Sequence, residues 1–81
     1  MSDVVVAALY KFCALHDYEQ VRDAFAELCA SEQIKGTLIF SDEGINGTVA
    51  GQREAIDKLR AALAKESRFD GIEYKESHCE K

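Results

Sequence analysis

The pattern of apolar and polar positions divides the chain into six elements. Residues 4–12 (VVVAALYKF) are β-branched and aromatic on both alternating faces, which predicts a strand inside a sheet rather than at its edge. The period then changes. Tyr18, Val21, Phe25 and Leu28 recur at helical spacing, with Ala24 and Cys29 widening the stripe, so a helix is predicted over residues 17–32. Asp17 with Gln20 three residues on spells a capping box at its start. Residues 35–40 and 47–50 read as the second and third strands, joined through residues 41–46 as the loop of a wide hairpin. Ala55, Ile56, Leu59, Ala62 and Leu63 restore the helical period to about Glu66, and Glu54 and Lys58 are spaced for an i,i+4 ion pair. Past Gly71, residues 72–75 alternate apolar with charged, as an edge strand does.

The order βαββαβ is that of a ferredoxin-like, split βαβ domain of the α+β class. Right-handed crossovers place both helices on one face of a four-stranded antiparallel sheet, with the first and third strands central. Val21, Phe25, Leu28, Ile56, Leu59 and Leu63 are the predicted core, and the aromatic residues largely fit core positions. The opposite sheet face is left bare; it is wet, or it is covered by something this chain does not contain.

Composition narrows the functions open to such a domain. The 81 residues, 47% apolar, 31% charged and without proline, suit one globular domain, residues 1–81. A chain of this size buries only about 60% of its unfolded surface, which leaves a thin two-layer core and no deep substrate chamber. Fifteen acidic against ten basic residues give a net charge of −5, which repels phosphate backbones and argues against autonomous nucleic-acid binding. Nothing approaches the ~18 apolar residues of a membrane span, and residues 4–9 lack the basic flank of a signal peptide. Cys13, Cys29 and Cys79 form no CxxC and cannot pair completely, so the expected compartment is reducing, the cytoplasm.

The stretch Glu43, Gly44, Ile45, Asn46, Gly47 and Thr48 is the most unusual in the chain. Read as geometry, its Gly and Asn supply positive φ for the hairpin and Ile45 caps the core. A calcium loop beginning at Asp42 fails, because its third position is Gly44 and its twelfth is Arg53. Asn46-Gly47-Thr48 also spells a glycosylation acceptor, without meaning in the cytoplasm. Cys13, His16, His78 and Cys79 have zinc-ligand chemistry, but strand topology puts the first two and the last two about 15–20 Å apart at ~3.3 Å per residue, so no metal is expected. Cys13 and Cys29 sit on apolar patterns as inert small hydrophobes. His16 has no nucleophile nearby, and the lone Gly51 before the second helix is a tight turn rather than a phosphate cradle.

Together, Tyr10-Lys11-Phe12, Leu15, Asp17, Lys35-Gly36-Thr37-Leu38, the run from Glu43 through Ala50 to Gly51, Ala55-Ile56-Asp57, Arg68-Phe69 and Lys75-Glu76-Ser77 resemble the amino-terminal domain of the rhodanese-domain tRNA uridine hydroxylases. The resemblance covers nearly the whole chain. It implies an acylphosphatase-like domain followed, in the parent protein, by a rhodanese-like domain with a reactive cysteine, the parent hydroxylating the wobble uridine of certain tRNAs with oxygen. The chain is then expected to be a fragment without the rhodanese-like domain: accessory and non-catalytic, with no cofactor, and monomeric when isolated. Its expected partners are that rhodanese-like domain and, through the parent, tRNA, with Glu43 to Thr48 facing one of them. Acylphosphatases hold their substrate with an arginine in the first strand–helix loop and an asparagine on the second strand. Here Cys13-Ala14-Leu15-His16 has no arginine and residues 36–40 no asparagine. A small acylphosphatase and a metabolite-binding or dimerising regulatory module are the alternatives.

Overall fold

A computed structural model describes residues 3–80. The elements are β1 (Asp3–Phe12), α1 (Tyr18–Ser31), β2 (Lys35–Ser41), β3 (Gly44–Gln52), α2 (Arg53–Lys65), a 3-10 turn (Ser67–Phe69) and β4 (Glu73–Glu80). The four strands form one antiparallel sheet in the order β2-β3-β1-β4, so the first and third strands are central as expected. Alternation along β1 sends Val5, Ala7 and Leu9 to one face, where they pack with Val49 and Ile45 of β3 and Phe40 of β2 beneath the helices. Phe25 of α1 and Ile56, Leu59 and Leu63 of α2 close this core from above. Phe25 lies 5.6 Å from Phe40 and 6.2 Å from Phe69, ring centroid to centroid, so one aromatic cluster joins α1, β2 and the 3-10 turn.

The structure corrects several expectations. The connection of β2 to β3 is no wide loop: Ser41 already pairs with Gly44, leaving Asp42 and Glu43 as the turn. The Glu43 N–H donates to Ser41 Oγ at 3.2 Å, which tightens the turn and lets β3 begin three residues earlier than turn-forming composition suggests. β4 reaches Glu80 because β1 offers it a partner all the way back to Asp3. Asp17 makes no side-chain cap on α1; its carboxylate is drawn to the Arg68 guanidinium, a charged donor stronger than an amide. Lys58 pairs with Glu32 at 3.2 Å rather than with Glu54, and the i,i+4 pair on α2 is Arg53–Asp57. Val21 and Leu28 are only half-buried, since they line a groove between the two helices instead of lying beneath α1.

Candidate functional site on the open sheet face

Residues opposite one another in the ladder share a face, so the register defines the helix-free surface row by row. Ile39, Asn46, Tyr10 and Glu73 form one row across all four strands. Thr37, Thr48, Ala8 and Lys75 form the next, and Ser41, Gly44 and Phe12 the one toward the β2–β3 turn. Tyr10, Phe12 and Ile39 are the exposed large hydrophobic residues of the described chain, at 44%, 74% and 55% exposure, and all three stand on this face. The Tyr10 and Phe12 rings meet edge to face with centroids 5.5 Å apart. These are not core positions; period-two alternation along β1, which buries Leu9, carries Tyr10 and Phe12 to the other side. That alternation was the signal available in the sequence.

The unusual motif lies along β3, not in a loop, and the pleat divides its residues between two duties. Ile45 points inward and is 2% exposed, capping the core as expected. Asn46 and Thr48 stand exposed on the open face, and Glu43 lies at its rim in the turn. Gly44 has φ +133°, and a Cβ there would run into the Lys11 carbonyl oxygen of the adjoining strand. Gly47 has φ +158°, and a Cβ there would meet the Thr37 carbonyl oxygen. The glycines therefore serve strand-to-strand approach, and Asn46 does not take a positive φ.

The segment after β1, where an acylphosphatase would hold its substrate, is fastened to the hairpin turn. The Cys13 N–H donates to the Glu43 carbonyl and the Leu15 N–H to the Asp42 carbonyl, both at 3.0 Å, and Leu15 is fully buried. Two backbone donors that could have met an anion are thus already engaged. His16 is exposed and its neighbour Asp17 is tied to Arg68, so the two do not form an oriented base. Cys13 and Cys29 are half-buried, and desolvation pushes the Cys29 thiol up, away from the reactive thiolate. His78 pairs with Val5 at the far end of β1 from Cys13 and His16, and the Cys79 side chain lies outside the described residues. Among the described residues no group of three or more His, Cys, Asp or Glu is placed to hold a metal.

A second polar constellation joins α2 to β4. Arg53 grips Glu76 with two hydrogen bonds of 3.0 and 2.8 Å, Tyr74 donates its hydroxyl to Glu76 at 2.7 Å, and the Arg60 guanidinium lies 4.9 Å over the Tyr74 ring. The Arg53 hydrogen bonds first, then that from Tyr74, hold the Glu76 carboxyl down at about 2. Burial, with Glu76 beside it, raises the Tyr74 hydroxyl well above its usual range. Across the molecule Arg68 binds Glu66 and Asp17, and its hydrogen bonds bring Glu66 to about 2. Every member of both clusters is satisfied by another, which marks them as ties between elements.

Residues 4–81 match the family model described as UPF0176 acylphosphatase like domain. Over 77 residues, 95% of the chain, the sequence is 52% identical to the tRNA uridine(34) hydroxylase of Teredinibacter turnerae (strain ATCC 39867 / T7901). The chain spans only 24% of that relative's length.

Proposed function

The chain belongs to the family of UPF0176 acylphosphatase-like domains, and from that premise we propose that it is an accessory, non-catalytic domain of an enzyme that hydroxylates the wobble uridine of tRNA. The observation that carries this reading is the 52% identity to a tRNA uridine(34) hydroxylase of which the chain matches 24%. The chemistry of the chain agrees with an accessory role. Its described cysteines are half-buried, and the segment of residues 13–16 has the Cys13 and Leu15 amides engaged and no arginine, so the described residues offer no reaction centre for hydroxylation or acyl-phosphate hydrolysis. A reactive cysteine in a rhodanese-like domain of the same parent is the catalytic group in this reading. Glu43 to Thr48 then contribute to packing against that domain or to placing the tRNA. No helix among the described residues is long and apolar enough to cross a membrane. In this reading the parent works on tRNA in the cytoplasm.

The test is reconstitution. The full parent should hydroxylate tRNA, whereas the 81-residue chain should neither hydroxylate uridine nor hydrolyse an acyl phosphate such as acetyl phosphate. Turnover of either substrate by the short chain, or a parent inactive on tRNA, overturns the reading.

A further inference from the structure

We infer that the Tyr10–Phe12–Ile39 end of the open sheet face is where this domain docks on the rest of its parent protein, and that the face is closed by protein before any RNA arrives. The inference rests on the proposed reading of the chain as part of a longer enzyme, and it goes further by naming the surface and its occupant. The three exposed large hydrophobics of the described chain are gathered here, whereas single exposed apolar residues on a monomer are ordinarily scattered. The surface is also concave. Ala8, Gly44 and Thr48 are small, and they leave a hollow lined by Tyr10, Phe12 and Ile39, with Asn46 standing between Tyr10 and Ile39 in the same row. Apolar walls around a polar group that fixes orientation suit an inserted side chain, and aromatic residues in such positions carry much of the energy of protein interfaces.

Charge separates protein from RNA as the occupant. The face carries Lys35 and Lys75 with Glu73, and Lys11 and Glu43 line the hollow's rim, so cations and carboxylates are interleaved here and form no basic patch. Glu73 is the direct ladder partner of Tyr10, and a nucleotide stacked on that ring would bring its phosphate toward a carboxylate on a chain whose net charge is already −5. A neutral protein surface meets no such penalty. Length supplies the candidate: about three quarters of the matched relative lies outside the aligned region, since the chain spans 24% of it. A covalent tether holds such a partner at an effective concentration of order millimolar, so a patch of modest area is enough.

The experiment is hydroxyl-radical footprinting of the full parent, with and without tRNA, at two protein concentrations, read by mass spectrometry at single aromatic residues. Phe69, 2% exposed, is the internal standard for burial, and Phe12, 74% exposed in the domain, is the reporter. In the RNA-free parent Phe12 should be modified at a rate near that of Phe69, a loss on the order of tenfold against a bare face, and should not change on adding tRNA or on dilution. Strong labelling of Phe12 in both states overturns the inference. So does labelling that disappears only with tRNA, which makes the face an RNA surface, or only at the higher concentration, which makes the occupant a second copy. Tyr10 provides the independent second reading. Hydroxylation of tRNA is measured on the same preparation: an active parent with a bare Phe12 sinks the docking alone, and an inactive parent with a protected Phe12 sinks the functional reading alone.

Discussion

At the scale of single residues, the motif on β3 makes structural and functional demands that can be pulled apart. Gly44→Val and Gly47→Val each place a Cβ against a backbone carbonyl of the neighbouring strand, at φ +133° and +158°. Each should lower unfolding stability by at least about 1 kcal/mol, read from thermal or urea unfolding of the domain. Two variants as stable as the wild type would remove the structural account of the motif. Asn46→Ala is the complement. Its side chain stands exposed on the open face outside the core, so stability should hardly move while turnover of the parent on tRNA falls. An unchanged turnover would take Asn46 out of the functional surface.

At the scale of elements, the tie between α2 and β4 has a pH signature whose sign follows from Glu76. Its carboxyl sits at about 2 in the folded domain against an ordinary 4.5. The unfolded chain therefore takes up a proton at higher pH than the folded one, so this contribution to stability is complete above about pH 4.5 and disappears as pH falls toward 2. Glu66, also near 2 through Arg68, acts in the same window and in the same direction. Glu76→Gln should reduce the melting temperature at pH 7 by several degrees and bring the variant and wild-type curves together near pH 2. Parallel curves at every pH would show that the Arg53 pairing contributes nothing to folding. Such ties were also what the sequence disclosed least. The periods of β1, α1 and α2 were legible because each depends on nearest neighbours along one element. By contrast, Asp17 left its helix for Arg68, 51 positions away, and Lys58 turned from Glu54 to Glu32, because charged side chains choose partners across the fold. The β2–β3 hairpin was obscured for a related reason: Gly44, Asn46 and Gly47 have the composition of a turn, but pairing with β1 and β2, at close approach to the Lys11 and Thr37 carbonyls, makes them strand. The open face was legible as a topological necessity. Its aromatic patch was not, since nine nearly continuous apolar positions from Val4 to Phe12 hide which alternate set is covered.

At the scale of the whole molecule, charge dominates what the domain can do alone. With a net charge of −5 and its described arginines engaged with carboxylates, the isolated chain should bind tRNA no better than the 10⁻⁴–10⁻⁶ M of nonspecific contacts, and less as salt rises. The full parent, titrated at the same near-physiological salt, should bind more tightly, because the positive charge must come from elsewhere in it. Submicromolar binding by the short chain that survives added salt would make this domain an RNA-recognition module in its own right.

The pairing of Asp3 with Glu80 brings a mechanical consequence. β1 and β4 run antiparallel with these two residues at the same end of their ladder, and β4 lies at the sheet edge. Tension applied between those positions therefore opens one hydrogen-bonded pair after another, like a zip, instead of shearing all of them at once. A motor pulling from the carboxyl side would peel β4 residue by residue to Glu76, where the Arg53 guanidinium adds a resistance that is not ladder. Past that clasp the edge of β1 lies open and the sheet over Ile56 and Leu59 has lost a flank, so the grip of Arg53 and Arg60 on Glu76 and Tyr74 resists unravelling of the domain from that end.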